Sequence, residues 1–233
     1  HNVFTYGCET GEEIMEHLSL FFKDSLKLQG KRVLVSAGPT HEAIDPVRFI
    51  SNHSSGKMGF AIAEALAAEG ADVDLITGPT HQHTEHARIR VKHVVTAKEM
   101  LDACAKYFHN PNILVLSPAV ADYRPREEAK QKIKKKENDL TLALTKTDDI
   151  AATLGKRKHN GQIIVGFALE TEHEETNALK KLEAKKFDLI VLNSLNDDGA
   201  GFGHDTNKIT IMDGKKKSTF ELKSKKQVAG DIV

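Results

Sequence analysis

The residues of this 233-residue chain that most suggest chemistry lie in SSGKMGFAIAEALAAEG, residues 54–70. Gly56 and Gly59 lie at the start of an alanine-rich stretch that predicts a helix. The free N–H groups and the dipole at a helix N-terminus attract anions such as phosphate, and glycine lets the anion approach the backbone. The spacing therefore predicts a phosphate- or nucleotide-binding turn; the alternative is a glycine-containing turn that binds no ligand.

Several features expected of better-known nucleotide sites are absent from the sequence. The next predicted strand, residues 71–78, ends without a carboxylate that could hold the ribose of a dinucleotide. No tyrosine is followed four residues later by a lysine, and the loop at residues 37–57 is longer than a dinucleotide turn. Met58 stands where a P-loop has Ser or Thr, and no glycine lies five residues before Gly56. The turn alone therefore leaves the kind of phosphate ligand open.

Alternating strand and helix patterns place this turn in an α/β fold. The predicted pairs of segments, in chain order, are RVLVSAG and GFAIAEALAAEG, ADVDLITG and AKEMLDACAKYF, NILVLS and DDIAATLGKRK, and QIIVGFA and HEETNALKKLEAKKF, followed by DLIVLNS. Such alternation predicts a doubly wound, mostly parallel, Rossmann-like sheet. Ligands of these sheets bind beyond the carboxyl ends of the strands, so site residues should come from the segments that follow the strands.

Two further segments depart from this alternation. Residues 127–146 place a lysine-rich stretch before a predicted strand in which Leu140, Leu142 and Leu144 share one face. Residues 201–224 predict a small β-hairpin extension around the turn DGK. Near the start of the chain, residues 11–27 have the apolar spacing of a helix.

The composition excludes several classes of partner. The formal net charge is zero, so no overall field favours nucleic acid or anionic lipid. No apolar run is long enough to cross a membrane, and no secretory signal opens the chain. Cys8 and Cys104 form no CxxC pair, which favours a reducing, cytoplasmic location. His81, His83 and His86 lack further ligands, so we expect a solvated loop there and no metal site.

Four motifs of the sequence closely resemble phosphopantothenoylcysteine synthetase, the second half of the bacterial bifunctional coenzyme A biosynthesis protein. They are AGPTHEAIDPVRFISNHSSGKMG, AVADYRP, KIKK and GFALET. The resemblance extends from about Lys31 to the C-terminus and implies a nucleotide-binding ligase domain over residues 31–233. Residues 1–30 resemble the segment that joins this half to a flavin-dependent decarboxylase half. Because the chain begins at His1 and not at Met, we interpret it as a fragment, a chain with an added tag, or a domain cut from a longer polypeptide.

The resemblance implies a ligation in two steps and the cofactors that go with it. The carboxylate of phosphopantothenate attacks the α-phosphate of CTP and releases pyrophosphate, and the amine of cysteine then displaces CMP from the acyl-cytidylate. CTP as co-substrate and Mg²⁺ are implied, since a triphosphate needs positive charge and hydrogen-bond donors around it. A homodimer with its site near the subunit boundary is implied as well.

Catalytic roles are implied by the resemblance for Asn52, Arg48 and Lys132. The neutral amide of Asn52 would lie against the acyl-cytidylate and donate to a carbonyl oxygen. Arg48 would bind the substrate carboxylate or phosphate, and Lys132 the triphosphate, in a lysine run that fits a mobile flap. The alternatives are a loop-turn residue for Asn52, a surface salt bridge for Arg48 and a solvated face for the following lysines.

The resemblance also implies a set of nucleotide-binding positions. They are Gly38, Ser55, Gly56, Gly59, Ala119, Asp122, Asp148, Asp149, Ile150, Phe167, Lys181 and Lys185. Asp122 could instead be a helix or turn cap. The family holds cytosine with the backbone of NPDI, and here Thr147 and Asp148 replace the first two residues, so the choice between CTP and ATP is open. Pro118 supplies no backbone N–H.

Two other functions are kept as alternatives. One is an NADP-dependent reductase like the short-chain dehydrogenases, which the missing Tyr–Lys pair disfavours. The other is a non-catalytic nucleotide sensor on the same fold, which would bind a nucleotide without turnover.

Overall fold

The computed structural model describes Thr10 and residues 26–134, 139–194, 201 and 203–233. The described strands, in chain order, are β1 (Arg32–Ala37), β2 (Glu42–Ala43), β3 (Phe49–Ile50), β4 (Asp72–Thr77), β5 (Ile89–His93), β6 (Ile113–Leu116), β7 (Tyr123–Pro125), β8 (Leu144–Lys146), β9 (Ile163–Glu170), β10 (Leu189–Ser194), β11 (Thr206–Asn207), β12 (Ile209–Met212), β13 (Lys217–Thr219) and β14 (Lys223–Ser224). The described helices are α1 (Lys57–Ala68), α2 (Ala97–Tyr107), α3 (Ile150–Lys156), α4 (Glu174–Ala184) and α5 (Lys225–Ile232).

The central sheet has eight strands in the order β13–β12–β10–β9–β6–β1–β4–β5. The strands from β10 to β5 in this order are parallel neighbours, whereas β12 and β13 are antiparallel. From β1 the chain moves outward to β4 and β5, and from β6 it moves the other way to β9 and β10. The predicted doubly wound α/β fold is thereby confirmed, and its strand order reverses between β1 and β6.

The strands at the centre are apolar because helices cover both faces of the sheet. In β1, Val33 and Val35 pack in one layer with α1 and α5, whereas Leu34 packs in the other layer with α2, α3 and α4. All three side chains are at most 1% exposed. The register pairs Val33 with Val73 of β4 and with Ile113 of β6. The unbroken apolar run in the sequence therefore reflects burial on both faces.

The predicted alanine-rich helix forms α1, although it begins at Lys57 rather than at residue 59. Gly70 follows its C-terminal end with a φ of 93°, a conformation that favours glycine. The predicted hairpin is also present: β12 and β13 pair around a turn at residues 213–216 and extend one edge of the central sheet.

The predicted strand with Leu140, Leu142 and Leu144 on one face is wrong in extent. Only residues 144–146 form a strand, β8, which pairs with β7 in a separate two-stranded ribbon. Leu140 and Leu144 are 53% and 42% exposed, since this ribbon does not pack on the core. The predicted N-terminal helix lies almost wholly outside the described residues. Among the described helices, none has the length and apolar character needed to cross a membrane.

Candidate functional site

Two adjoining clefts open at the carboxyl ends of the central strands, next to the point where the strand order reverses. The helix-side cleft lies at the start of α1 and has a volume of about 330 Å³. The ribbon-side cleft lies beside the β7–β8 ribbon and has a volume of about 480 Å³. The residues that line both clefts are Pro118, Val120, Asp122, Phe167 and Lys181. The clefts therefore share a wall, and one extended ligand could contact residues of both.

The start of α1 forms one side of the helix-side cleft, as the glycine spacing predicts. Ser55, Gly56 and Gly59 line this cleft. Gly56 precedes the helix in a left-handed conformation with φ 78°, and no side chain caps the helix. The first N–H groups of a helix have no intrahelical partner, so an anion in this cleft could accept from them.

Gly59 allows α1 to approach the end of β1. A β-carbon at Gly59 would lie 2.4 Å from the β-carbon of Ala37 and 2.9 Å from Oγ of Ser117, distances that no real side chain tolerates. Gly38, with φ 76°, does not line either cleft, but its carbonyl accepts from the N–H of Ala119 at 2.9 Å. Gly59 therefore allows the close position of the helix, and Gly38 holds the turn that carries Ala119.

Asn52 connects the long loop after β1 to the turn after β6. Its Nδ2 donates to the carbonyl oxygens of Ala119 and Val120, each at 2.9 Å. Both partners can only accept, so the nitrogen must face them and both of its hydrogens are used. The expectation that this amide donates to a ligand carbonyl is therefore not met by the present geometry. The side-chain oxygen, Oδ1, is the atom that remains to contact a ligand in the helix-side cleft.

Asp122 lies on the shared wall next to the TDDI segment. The carbonyl of Asp122 accepts from the N–H of Thr147 at 3.0 Å, and the Thr147 hydroxyl donates to the carbonyl of Ala121 at 2.7 Å. The Asp122 side chain is exposed and caps neither a helix nor a turn among the described contacts. Thr147 therefore fixes the TDDI backbone beside Asp122, even though it replaces the family's asparagine.

Asp149 and Lys185 meet in the ribbon-side cleft. Asp149 caps α3, since its Oδ1 accepts from the N–H of Ala152 at 2.9 Å, and Nζ of Lys185 lies 3.1 Å from its Oδ2. Burial opposes ionisation of the Asp149 carboxyl, but these two donors outweigh it and lower its pKa. A β-carbon at Gly155 would lie 2.0 Å from the carbonyl oxygen of Lys185. The absence of a side chain at Gly155 therefore allows Lys185 to lie directly against α3. Asp148 and Ile150 line the same cleft.

Lys181 supplies a second cation at the shared wall. Its Nζ lies 2.6 Å from Oε1 of Glu170, a residue at the end of β9 whose side chain is mostly buried. Phe167, on the same strand, lines both clefts. Lys181 and Lys185, two of the predicted nucleotide-binding positions, both line the ribbon-side cleft. Each is paired with a carboxylate, so an incoming polyanion would have to compete with that carboxylate for the lysine.

Arg48 and Lys132 do not line either cleft. The guanidinium of Arg48 binds the carboxylate of Asp45 and donates to the carbonyl of Ile133 at 3.2 Å. Lys132 is exposed, and no contact of its side chain is present among the described residues. Arg48 therefore forms the salt bridge that was its alternative, while Lys135 and Lys136 lie outside the described residues.

Two lysines of the helix-side cleft were missed in the sequence. Lys57, directly after Gly56, pairs with Asp205, and its position within the predicted turn was a signal that could have identified it. Lys225 is only 8% exposed and donates to the carbonyls of Gly201 and His204 at 3.1 and 2.6 Å. Burial and the neighbouring Lys57 lower the pKa of Lys225. In the sequence Lys225 was one lysine in a run, which gave no indication of burial.

No group of three or more His, Cys, Asp or Glu side chains in the described part of the chain is arranged to hold a metal ion. His81 lines a third groove, which shares Asn52 and Lys57 with the helix-side cleft.

Comparisons with known proteins relate this chain to a known family. The family described as the DNA/pantothenate metabolism flavoprotein C-terminal domain matches residues 28–233. A cysteine/cysteine sulfinic acid decarboxylase from an unknown prokaryotic organism is 49% identical over 97% of this chain and 64% of its own length. The coenzyme A biosynthesis bifunctional protein CoaBC of Haemophilus influenzae is 45% identical over 95% of this chain and 55% of its own length.

A solved structure extends the likeness to three dimensions. The crystal structure of the C-terminal domain of a CoaBC protein is 41% identical, with a TM-score of 0.73, and the match covers 88% of this chain and 94% of that domain. The chain thus spans less than two thirds of the two full-length relatives but nearly all of this isolated domain.

Proposed function

Because the chain belongs to the family of the DNA/pantothenate metabolism flavoprotein C-terminal domain, we propose that it is a phosphopantothenate–cysteine ligase of coenzyme A biosynthesis. The observation that carries this proposal is the pair of clefts with a shared wall. An uncapped helix start lies on one side, and Lys181 and Lys185 lie on the other. Two adjoining clefts with these groups suit a nucleoside triphosphate bound next to a second substrate.

In the first step, an oxygen of the phosphopantothenate carboxylate forms a bond to the α-phosphorus of CTP, and the bond to pyrophosphate breaks. Negative charge develops on the departing pyrophosphate. The ammonium groups of Lys181 and Lys185 and the N–H groups at the start of α1 can stabilise this charge. The products are an acyl-cytidylate and pyrophosphate.

In the second step, the amine of cysteine attacks the acyl carbon, and the bond to CMP breaks. Asn52 lies beside the turn at residues 117–120, where the intermediate would lie. Because its Nδ2 is bonded to Ala119 and Val120, we propose that Oδ1 accepts a hydrogen bond from the attacking amine. This role orients the nucleophile without adding charge near the acyl-phosphate.

Mg²⁺ is proposed to accompany the nucleotide. It is usually bound through one or two carboxylates together with substrate phosphates, and it retains several waters. The exposed carboxylate of Asp122 fits this requirement, whereas Asp149 and Glu170 are paired with lysines. Bound Mg²⁺ would neutralise charge on the triphosphate.

The remaining features are proposed from the relatives. CoaBC of Haemophilus influenzae is bifunctional and longer than this chain, so we propose that a decarboxylase domain precedes the ligase domain in the full polypeptide. A homodimer and a cytoplasmic location are proposed on the family resemblance. The reductase and the nucleotide sensor gain no support from the comparisons.

The proposed function predicts which substrates must be present for each product to form. Purified protein should release pyrophosphate from CTP only when phosphopantothenate is present, and should release CMP only when cysteine is added as well. Parallel reactions with ATP test the choice of base at residues 147–150. Pyrophosphate release without phosphopantothenate would contradict the proposal, and nucleotide binding by calorimetry without any turnover would favour the sensor.

A further inference from the structure

The loop between β2 and β3 contains a buried carboxylate that the proposed reaction does not use. Asp45 is 2% exposed, and its Oδ1 accepts from the N–H groups of Val47 and Arg48, each at 2.9 Å. Its Oδ2 accepts from the Arg48 guanidinium and from the N–H of Ile133 at 3.1 Å. A buried carboxylate is costly unless it is fully hydrogen-bonded, and here donors reach both oxygens.

Ile133, 88 residues away in sequence, is bound through both of its backbone groups. Asp45 accepts from its N–H, and Arg48 donates to its carbonyl at 3.2 Å. A third contact lies nearby, where the N–H of Ala129 donates to the carbonyl of Ile44 at 3.0 Å. The loop at residues 44–48 therefore anchors the segment at residues 129–133 by backbone contacts that do not depend on the lysine side chains.

This anchored segment carries Lys130 and Lys132, and Lys134 follows directly. The anchoring loop leads through β3 to Asn52, four residues after Arg48. The Arg48 guanidinium holds the pKa of the Asp45 carboxyl well below its usual range and outweighs burial, which alone would raise that pKa, so the carboxylate is ionised at neutral pH. The contact between loop and segment is thus charge-assisted under the conditions in which the enzyme would work.

We propose that Asp45 is a positioning residue that fixes the lysines of residues 130–134 relative to Asn52 and thereby strengthens nucleotide binding. This inference rests on the proposed function. A lysine-rich segment would otherwise be solvated and mobile, and ordering it on binding would weaken affinity for the anion. Asp45 and Arg48 order the segment in advance. Asp45 acts through the backbone of Ile133 and lines neither cleft.

The test compares Asp45→Asn with Asp74→Asn in the whole chain. Asp74 is the matched control, since it also pairs with an arginine through two hydrogen bonds, to Arg90 at 2.8 and 3.1 Å, but at the far edge of the sheet. Hydrogen exchange and limited trypsin digestion are measured over residues 126–134. We expect exchange at Ile133 and cleavage after Lys130 and Lys132 to be about tenfold faster in Asp45→Asn alone, since a charge-assisted hydrogen bond is lost.

Kinetics then separate positioning from a general loss of structure. We expect Asp45→Asn to raise KM for the nucleotide about tenfold and to change kcat by less than about twofold. Arg48→Lys, which keeps the charge but loses the two-pronged contact, should show faster exchange at Ile133 even if Asp45→Asn does not fold.

Each outcome bears on one proposal only. Exchange at Ile133 that is unchanged in both the Asp45 and Arg48 variants would overturn the anchoring. Faster exchange with unaltered KM in an active enzyme would overturn its role in nucleotide binding. If the wild-type protein releases no pyrophosphate but Asp45→Asn still accelerates exchange, the anchoring is supported and the proposed function fails.

Discussion

Nδ2 of Asn52 lies 2.9 Å from the carbonyl oxygen of Ala119. The N–H of Ala119 in turn donates to the carbonyl of Gly38. Three segments that are distant in sequence are therefore joined where the strand order reverses, between β1 and β6. Ligands of doubly wound sheets bind at this point. The long loop after β1 places the Asn52 amide there.

Asn52→Asp should slow the cysteine-dependent step more than pyrophosphate release. The substitution places an acceptor opposite two carbonyl oxygens and adds a negative charge close to an acyl-phosphate, and both effects oppose the second step. Rapid-quench measurements with labelled CTP should therefore show accumulation of the acyl-cytidylate. Asn160→Asp, in an exposed turn, is the control, and equal losses in both steps would contradict the role given to Asn52.

Lys185→Gln should weaken nucleotide binding about tenfold, because a hydrogen bond to a charged group contributes about 1.5–3 kcal/mol. The loss should shrink at high salt, because the side chain of Lys185 is only half-buried and its attraction to the nucleotide is partly screened. Calorimetric titration with CTP at two ionic strengths measures both effects. Lys180→Gln is a control of the same charge on α4 that lines neither cleft, and a similar loss in both variants would indicate only a general effect of charge.

Gly59→Ala should destabilise the fold by about 1–3 kcal/mol and displace the start of α1, because the new β-carbon has no room beside Ala37. Gly230→Ala is the matched control. No heavy atom lies within 4 Å of its added β-carbon, so the higher helix propensity of alanine should stabilise α5 by roughly 0.5–1 kcal/mol. Urea denaturation measures both changes, and destabilisation of similar size in the two variants would argue against the close contact.

Cys104 should resist alkylation in the native protein. Burial raises the pKa of this thiol to about 12, so it stays protonated at pH 8 while an unfolded thiol begins to ionise. A raised pKa stabilises the fold below the unfolded value of about 9, and that contribution declines as pH rises towards 12. Iodoacetamide labelling followed by peptide mass spectrometry should detect Cys104 only after unfolding; rapid labelling of the native protein at pH 8 would show that the side chain is accessible.

Local patterns in the sequence predicted the α/β class and seven of the eight strands of the central sheet, but not the edge strand β5. The apolar run of β1 predicted a strand of the sheet, the glycines at the start of α1 predicted a helix N-terminus that could bind an anion, and DGK predicted the turn between β12 and β13. Each of these depends on residues that are neighbours in the chain, where propensity and periodicity act directly. The strand at residues 140–144 was predicted too long. The alternation of leucines indicates a strand with one apolar face, but it does not show whether a helix or sheet packs against that face.

The tertiary structure alone decided which charges meet. Asp45 accepts from the N–H of Ile133, Asp149 pairs with Lys185, and Glu170 pairs with Lys181. Lys225 is buried against carbonyls, while Lys132 stays exposed. A lysine in a run looks the same whether it is solvated or buried, because its free energy depends on groups that the fold brings near. The sequence by itself determined the α/β class, most strands of the sheet, the helix start and the family resemblance. The pairing of carboxylates with cations around the clefts required the fold, since electrostatic contacts join residues that are far apart in the chain.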